Sequence, residues 1–410
     1  MAEKNFAVKL PPMLSGDELR KALEVLPPYS ESIRDKDAAT RLMALSDLYR
    51  IYIPSTMSVE IYSKLYLALF RSLQKKSTKA ANGQRNQNHR AIRQLEYNGI
   101  IGGSDSFTII GTSGIGKSSA INRAIGLISG SGVIQNEGNS MQVIPCVVVQ
   151  CPFDASVKGL LLEILRKVDE SLNSKYYEGA LRARATTDML IGSVSQVALN
   201  HIGLLVVDEI QNVCSSRNGK SLVGMLTQLI NNSGISICMV GTPESAVFFE
   251  QAMQLARRSL GLRYGAIAFD GYFQDFCKTL LSYCYVNRMS ERKNALIEWL
   301  YSHSGGILSV VVSLVHDAQE IAILNGTERL DIEALTEAYQ KRMGMLHGYI
   351  SPQKCKYSAT IADRAPKTPT ITEEIENSHL ISGLVNRAKA EQIDVVTLLR
   401  EHFAVDEVML

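Results

Sequence analysis

One octapeptide constrains this chain more than any other feature, because the chemistry of a phosphate chain fixes its residue types. Residues 111–118 read Gly-Thr-Ser-Gly-Ile-Gly-Lys-Ser and match the pattern G-x-x-x-x-G-K-[ST] at every required position. The glycines let backbone N–H groups turn toward phosphate oxygens, the lysine reaches the β and γ phosphates, and the last hydroxyl ligates Mg²⁺. The sequence therefore predicts a binding site for a nucleoside triphosphate.

The residues around this loop have the patterns that such a site requires. Residues 106–110 form a short apolar run typical of a buried strand, and residues 119–125 have the pattern of a helix. A strand, a loop and a helix in this order place the loop at a helix N-terminus. A glycine-rich turn that binds no ligand is the alternative. We expect these residues to contact the nucleotide: Gly111, Thr112, Ser113, Gly114, Ile115, Gly116, Lys117, Ser118 and Ser119.

A second motif supplies the carboxylates that the phosphate loop lacks. Residues 204–209 read Leu-Leu-Val-Val-Asp-Glu, which predicts a buried strand that ends in two acidic side chains. Asp208 lies 90 residues after Ser118 and is expected, together with Ser118, to hold Mg²⁺ and its hydration shell. Glu209 is the candidate general base that polarises the attacking water. An exposed acidic pair at a strand end, with no catalytic role, is the alternative.

Two further catalytic candidates come from the segment that follows. Residues 235–240 form another apolar strand, which places the hydroxyl of Thr242 34 residues after Asp208, where it can orient a water molecule near the γ phosphate. A helix is then expected to run to Arg257 and Arg258, and either arginine is a candidate finger that reaches a neighbouring subunit's nucleotide. A surface arginine pair at a helix end is the alternative.

Composition sets the broad class of the chain. It has 410 residues, 46% of them hydrophobic, which is enough for a large core and for two or three structural units. No apolar run reaches the ~20 residues that span a bilayer, and residues 1–10 lack the apolar centre of a signal peptide, so we expect a cytoplasmic protein. The seven cysteines are scattered without a C-x-x-C pair and are expected to be reduced core residues. The net charge of +2 points to no nucleic acid overall, so any DNA contact must come from local patches.

The N-terminal region, residues 1–97, contains prolines and two stretches with helical spacing, residues 38–52 and 58–73. It ends in a basic run without an acidic residue, residues 71–93, which includes Lys75, Lys76 and Lys79. Such a run is often a solvated face or linker, but seven like charges also suit DNA phosphates. The region is predicted to be mostly helical and to contact partners or DNA.

Three further parts follow along the chain. In residues 98–271 short apolar strands alternate with helical stretches, which predicts an α/β fold with a parallel sheet in three layers; the strand candidates are residues 107–110, 142–150, 203–207 and 235–240. Residues 272–349 switch to helical periodicity and predict a helical C-terminal lid; the helix candidates are residues 272–287, 291–303, 308–324 and 332–345. Residues 350–410 have little hydrophobic pattern at first and predict a flexible tail with one or two short docking helices.

Together the motifs resemble those of the TniB/TnsC family, the AAA+ regulators of transposition in Tn-type and CRISPR-associated elements. The resemblance rests on GTSGIGKSS, LLVVDEIQN, MVGTPES, LARRSLGLRYG and SGGI, and it covers residues 98–345. It implies ATP and Mg²⁺ as ligands, and an ATPase that assembles on double-stranded DNA as a homo-oligomeric ring or helical filament. It further implies that the assembly links a target-selector protein to a transposase, and that ATP hydrolysis resets it.

The resemblance also nominates DNA contacts in loops that line the interior of such an assembly. These are Ser156 and Lys158 after one strand, and Arg217 and Lys220 after the Asp208–Glu209 pair; an ordinary surface position is the alternative for each. Such residues would contact DNA phosphates, so we expect the DNA affinity to depend strongly on salt concentration and little on sequence. The resemblance places the target selector at the N-terminal region, and the transposase or an associated nuclease at residues 350–410.

Two other functions share these motifs. A helicase-loading ATPase would bind single strands and would favour aromatic residues beside the basic loops, where the sequence offers only Phe153. A STAND-type switch or motor without a DNA role would suit the near-neutral charge but not the basic run. The expected lid turn, residues 304–307, is followed by Leu308 and Ser309 where many AAA+ proteins have an arginine, so lid closure would rest on backbone contacts and packing.

Overall fold

The chain is described here from a computed structural model. The structure describes residues 9–76, 106–130, 132–136, 139–216, 219–246 and 261–343. All of these residues lie in one compact unit that extends over residues 1–354. The division of the chain at residues 97, 271 and 349 stays a prediction.

A six-stranded sheet forms the centre of the fold. Its strands are β1 (Phe107–Gly111), β2 (Ile134–Asn136), β3 (Asn139–Gln150), β4 (Ile202–Asp208), β5 (Ser236–Gly241) and β6 (Leu262–Tyr264). Their order across the sheet is β2-β3-β4-β5-β1-β6, and every pair except β2–β3 is parallel. The four apolar runs predicted as strands are β1, β3, β4 and β5. Because these strands are parallel, the residues that follow them meet at one edge of the sheet, the carboxyl edge.

Helices cover both faces of this sheet, as the three-layer α/β prediction requires. The helices of the described residues are α1 (Gly16–Leu23), α2 (Ala38–Ala44), α3 (Thr56–Lys76), α4 (Lys117–Ser129), α5 (Val157–Leu172), α6 (Tyr176–Arg182), α7 (Thr187–His201), α8 (Asn212–Ser215), α9 (Gly219–Ser233), α10 (Gly271–Ser282), α11 (Lys293–Ser304), α12 (Leu308–Leu324) and α13 (Ile332–Ala338). Side chains of β4 alternate between the two faces: Leu205 and Val207 face the core of α5, α7 and α9, whereas Leu204 and Val206 face α1, α3 and α4.

The predicted helical lid is confirmed, with four helices that enclose a core of their own. Helices α10 to α13 start within two residues of the predicted positions, and α12 has the predicted bounds. Two short parallel strands, β7 (Arg288–Met289) and β8 (Arg329–Leu330), pair between the helices. Trp299 of α11 stacks on His303 with ring centroids 3.7 Å apart, one turn before the glycine turn that leads into α12.

The N-terminal residues pack against both the sheet and the lid. Helices α1 and α3 contribute Leu19, Leu23 and Leu65 to the core beneath the sheet, whereas Leu45 and Leu48 belong to the core of the lid. The stretch predicted as one helix, residues 38–52, consists of α2 followed by a 3₁₀ helix, Leu45–Arg50. The segment between the 3₁₀ helix and α3 therefore crosses from the lid core to the sheet core.

A buried ion pair fastens this N-terminal part to the lid. Arg41 of α2 donates from both terminal nitrogens to the carboxylate of Glu328, each at 2.6 Å, and also donates to the carbonyl of Tyr285 at 3.1 Å. The Arg41 side chain is only 8% exposed. Hydroxyl groups add to the attachment, since Tyr283 donates to the carbonyl of Pro27 and Tyr272 donates to the carbonyl of Ile53.

The prediction of reduced core cysteines needs one correction. Six cysteines lie among the described residues and all are free thiols, of which Cys151, Cys238, Cys277 and Cys284 are buried. Cys214, however, is exposed, because it lies in the short helix α8 at the surface of the carboxyl edge. In the part of the chain that the structure describes, no helix is long and apolar enough to cross a membrane.

Candidate nucleotide-binding site

The predicted phosphate loop lies between β1 and α4. Gly114 and Gly116 adopt φ angles of +80° and +97°, which side chains rarely tolerate, and Gly116 is the N-cap of α4. The loop therefore presents its backbone N–H groups at the N-terminus of a 13-residue helix. This end of a helix carries partial positive charge and suits an anion.

Lys117 lies within the loop that it is expected to serve. Its ammonium donates to the carbonyl of Gly111 at 2.6 Å and to the carbonyl of Thr112 at 2.8 Å, and the residue is 9% exposed. Burial lowers the pKa of Lys117, and the nearby carboxylates of Asp208, Glu209 and Glu244 oppose that effect. Burial disfavours the charged form of this ammonium, and the negative charge of a phosphate chain would stabilise it.

The two predicted Mg²⁺ ligands are adjacent. The hydroxyl of Ser118 donates to Oδ2 of Asp208 at 2.9 Å, although 90 residues separate them along the chain. Oδ1 of Asp208 accepts from the backbone N–H of Glu209 at 2.8 Å, which fixes the carboxylate at the end of β4. A hydroxyl and a carboxylate beside a phosphate loop are the hard oxygen donors that Mg²⁺ prefers, so this pair fits that ion.

Glu209, the candidate base, follows Asp208 on a strained backbone. Its φ angle is +57°, and its side chain is exposed to the cleft. The side-chain amide of Gln211 donates to Oε2 of Glu209. No role was predicted for Gln211 from the sequence, although its place two residues after the candidate base was a usable signal.

Thr242 follows β5, next to both β1 and β4 in the sheet, and reaches the same cleft. A hydrogen bond from its hydroxyl lowers the pKa of the Glu244 carboxyl. The structure thus brings together the loop, both carboxylates and the threonine. The residues that line the cleft are Ser113, Gly114, Gly116, Lys117, Ser118, Ser119, Asp208, Glu209, Gln211, Gly241, Thr242 and Ser309.

The lid closes one side of this cleft through a backbone contact. The N–H of Ser309, at the start of α12, donates to the carbonyl of Gly114 at 3.0 Å. The preceding turn contains Gly306, where a Cβ atom would lie 2.0 Å from the carbonyl oxygen of Ile267. Ser309 thus attaches the lid to the phosphate loop through its backbone, and no role was predicted for it from the sequence.

A second, more apolar cavity adjoins the phosphate loop. It is lined by the N-terminal residues Tyr52 and Met57, by Tyr272 and Phe276 of α10, and by Val312 of α12. Gly114, Gly116, Ser119 and Ser309 line both cavities, so the two are continuous around the loop. An apolar wall with aromatic rings beside a phosphate site suits the base of a nucleotide. Sequence patterns did not indicate these residues, because three separate parts of the chain contribute them.

Residues 102–261 match the family model described as bacterial TniB protein. This segment of the chain is similar to the TniB family. The match confirms the resemblance inferred from the motifs, and the lid motif lies beyond it. The TniB segment contains the phosphate loop, Asp208, Glu209, Thr242 and both candidate arginines. The fold class is as predicted: an α/β fold with a mostly parallel sheet, followed by a helical subdomain.

Other comparisons add fold neighbours at low similarity. The ORC1 protein of Aeropyrum pernix, solved in complex with DNA, is 14% identical, with 64% of each chain covered and a TM-score of 0.42. The ORC2 protein of the same organism, solved as ADPNP and ADP complexes, is 15% identical, with 79% of this chain and 78% of that chain covered and a TM-score of 0.40. The Drosophila ORC bound to DNA is 13% identical, with 99% of this chain and 87% of that chain covered and a TM-score of 0.42. No curated protein matches the sequence. None of these likenesses identifies an activity of this chain.

The two loops of the TniB segment that were nominated for DNA lie side by side. Gln150 of β3 pairs with Asp208 of β4, so residues 151–156 and 209–216 both leave the carboxyl edge. The hydroxyl of Ser216 donates to the carbonyl of Asp154 at 2.7 Å, and the amide of Asn212 donates to the carbonyl of Cys151 at 2.9 Å. These bonds hold the loops together.

Of the nominated side chains, Lys158 and Lys220 are exposed at the first turns of α5 and α9. Ser156 has a structural role, because its hydroxyl accepts from the N–H of Gly159 and caps α5. Phe153, at the tip of the first loop, is 87% exposed. The two lysines and this ring therefore extend from neighbouring loops at one edge of the sheet.

The prediction for Lys76 does not fit its position. Lys76 is 4% exposed and donates to the carbonyls of Ala198 and Leu199 at the end of α7, because α3 packs this side chain against the sheet domain. Lys75 is half-buried at the end of the same helix. The remaining candidates, Lys79, Arg217, Arg257 and Arg258, lie outside the described residues.

Proposed function

We propose that this protein is an AAA+ ATPase that assembles on double-stranded DNA when ATP is bound and links target selection to transposase recruitment in DNA transposition. The observation that carries the proposal is the TniB match, because it contains every residue that lines the phosphate cleft except Ser309, as well as the two loops at the carboxyl edge. The contact between Ser118 and Asp208 supports the nucleotide part independently, since it places a hydroxyl and a carboxylate beside the phosphate loop.

The proposed hydrolysis assigns one task to each side chain of the cleft. Lys117 contacts the β and γ phosphates, and Ser118 with Asp208 would hold Mg²⁺, which neutralises phosphate charge when bound. Glu209 accepts a proton from the attacking water while the water oxygen bonds to the γ phosphorus and the bond to the ADP oxygen breaks. Thr242 orients the water, and Arg257 or Arg258 of a neighbouring subunit stabilises the developing charge.

The proposed DNA contacts are to phosphates. Lys158 and Lys220 are exposed in the first turns of the helices that follow the two neighbouring loops at the carboxyl edge. Ammonium groups recognise phosphate oxygens without reading bases, which suits an assembly that accepts many target sequences. Lys75, Lys79 and Arg217 are proposed as further contacts. By the family resemblance, the N-terminal region would bind the target selector and residues 350–410 the transposase.

One observation favours a second candidate, a helicase-loading ATPase that binds single strands. The ring of Phe153 is 87% exposed on the same loop edge as Lys158. An exposed aromatic ring next to ammonium groups is a stacking platform for unpaired bases. This candidate has the same nucleotide site and differs in the DNA that it binds.

Electron microscopy and sedimentation of the purified protein separate these candidates. The protein is mixed with a random-sequence duplex or with a single strand of equal length, in ATP, a slowly hydrolysed ATP analogue or ADP; Lys117→Ala serves as the control without nucleotide. Ordered rings or filaments on duplex only with triphosphate would support the proposal. Assembly only on single strands would support the helicase loader, and assembly indifferent to DNA would support a switch without a DNA role.

A further inference from the structure

Gln211 has an unusual combination of contacts for a residue at the start of a helix. It is the N-cap of α8, yet its side chain makes no hydrogen bond to that helix. Polar residues at this position normally accept from a backbone N–H of the first turn. Here the side-chain amide donates to Oε2 of Glu209 instead, and Gln211 lines the phosphate cleft.

The other end of the same amide is buried without compensation. Oε1 of Gln211 has no hydrogen-bond partner among the residues that the structure describes. Leaving a buried acceptor unpaired is unfavourable, so other contacts of this side chain, such as the one with Glu209, must hold it in this orientation. The glycine at the end of β5 leaves room for the Gln211 side chain, since a Cβ atom at Gly241 would lie 3.1 Å from Gln211 Oε1 and 2.7 Å from the side chain of Ile210.

Hydrogen bonds also hold the backbone of Glu209 in an unfavourable conformation. Its φ angle of +57° lies in the left-handed region, which is unfavourable for a residue with a side chain. Three bonds maintain the turn: Asp208 Oδ1 accepts from the N–H of Glu209 at 2.8 Å, the N–H of Ile210 donates to the carbonyl of Val240 at 2.9 Å, and the N–H of Asn212 donates to the carbonyl of Glu209 at 3.1 Å. Strain of this kind concentrates at functional sites.

From these contacts we propose that Gln211 is the positioning residue of the catalytic base. Its amide holds Oε2 of Glu209 and leaves Oε1 to accept the proton of the attacking water. Gln211 touches neither ATP nor water in this role and acts only through Glu209. The inference rests on the proposed function, because it requires that Glu209 serves in ATP hydrolysis.

The test compares Gln211→Met and Gln211→Glu, two side chains of similar size that cannot donate to a carboxylate at neutral pH. The matched control is Gln228→Met, because Gln228 is an exposed glutamine of α9. We expect both variants at position 211 to lower kcat by ~10–100-fold, since misplacement of a reacting group by about 1 Å costs up to 100-fold. We expect KM for ATP to stay within about twofold, because ground-state binding is unchanged. Gln228→Met should behave as the wild type.

Two further measurements separate positioning from a merely structural role. The double variant Glu209→Gln with Gln211→Met should be no slower than Glu209→Gln alone, because the two residues act as one unit. The lifetime of the DNA-bound assembly in ATP should lengthen in Gln211→Met by the same factor as kcat falls.

The inference is overturned if both variants keep the wild-type kcat, if KM rises while kcat is unchanged, or if the losses multiply in the double variant. If Glu209→Gln itself hydrolyses ATP at the wild-type rate, the proposed base is wrong and the role of Gln211 is wrong with it. A wild type that binds duplex and hydrolyses ATP while the Gln211 variants are unaffected would leave the proposed function intact and remove only the positioning role.

Discussion

The backbone N–H of Ser309 donates to the carbonyl of Gly114 at 3.0 Å, so the lid docks on the phosphate loop without a charged side chain. The two residues are in very close contact. A Cβ atom at position 114 would lie 2.2 Å from the Ser309 hydroxyl oxygen and 2.8 Å from Cγ2 of Ile307. Position 114 therefore favours glycine for two reasons: the φ angle of +80° is unfavourable for other residues, and a side chain would overlap with the lid.

Gly114→Ala should therefore cost more stability than backbone strain alone. We expect a loss of ~2–4 kcal/mol, from the left-handed conformation together with the overlap against α12. The measurement is urea unfolding without nucleotide. The control is Gly326→Ala, because Gly326 also has a positive φ angle, +70°, but no atom within 4 Å of the added Cβ, so it should lose only ~1 kcal/mol. Equal losses of unfolding free energy in the two variants would show that overlap with the lid adds no destabilisation.

Lys117→Ala and Glu209→Gln should separate ATP binding from ATP turnover. The first removes the ammonium beside the phosphate loop and should weaken ATP binding by ~100-fold, consistent with loss of a charge-assisted contact in a buried site. The second keeps the size of the side chain but removes the base, so ATP binding should persist while hydrolysis falls by ~100-fold or more. ATP titration by calorimetry and single-turnover hydrolysis measure these effects.

Glu209→Gln should also trap the assembled state on DNA in ATP, because disassembly depends on hydrolysis. Sedimentation with duplex measures this. If Glu209→Gln assembles no better than the wild type in ATP, Glu209 is not the base.

Lys158→Gln and Lys220→Gln should each weaken duplex binding to the same extent on every sequence. The plot of log K against log salt concentration has a negative slope, and each lost phosphate contact makes that slope shallower by ~0.9. Fluorescence anisotropy with two unrelated duplexes at several salt concentrations measures the slope. Lys167→Gln is the control, because Lys167 is on the same helix as Lys158, toward its other end, and pairs with Glu170. An unchanged slope in both variants would place the DNA elsewhere on the protein.

Arg41→Met should destabilise the protein by ~2–4 kcal/mol, because it leaves the Glu328 carboxylate without its partner in a mostly buried position. Urea unfolding at pH 7 measures the loss. Arg50→Met is the control: Arg50 pairs with Asp47 but is 65% exposed, and such pairs contribute under ~1 kcal/mol. Losses of similar size in the two variants would contradict the importance of burial.

The effect of Arg41→Met should depend on pH. The hydrogen bonds from Arg41 lower the pKa of Glu328 in the folded protein. The stabilisation from the charged pair is therefore complete above the unfolded pKa of about 4.3 and is lost as the pH falls through the lower, folded value. The difference in unfolding free energy between wild type and Arg41→Met should shrink below about pH 4. A difference that stays constant down to pH 3 would assign the effect to packing of the arginine stem.

The sequence predicted the sheet and the centre of the site well, because both follow from local patterns. Buried parallel strands are short apolar runs, and the phosphate loop, Asp208, Glu209 and Thr242 directly follow three of them. Strand β6 has only three residues, too few for a periodic signal, and was not anticipated. Gln211 was missed because its partner is recognisable only once the turn after β4 brings the amide back onto Glu209.

Local sequence patterns do not predict contacts between distant parts of the chain. Lys76 belongs to a basic run, which is typical of solvated charges. In the structure α3 buries it against the end of α7, where its ammonium donates hydrogen bonds to the carbonyls of Ala198 and Leu199. Arg41 was likewise unremarkable in sequence, 287 residues before the glutamate that it binds. The aromatic wall next to the phosphate loop draws on N-terminal and lid residues that only the folded chain brings together.

The stacked pair of Trp299 and His303 gives this protein a built-in optical probe. Trp299 is the only tryptophan among the 410 residues, so intrinsic fluorescence excited at the indole band arises from a single known place. That place is the helix that leads directly into the glycine turn and thence to Ser309. Emission from the unlabelled protein therefore monitors the lid, and nucleotide-dependent changes can be followed in real time without an attached dye.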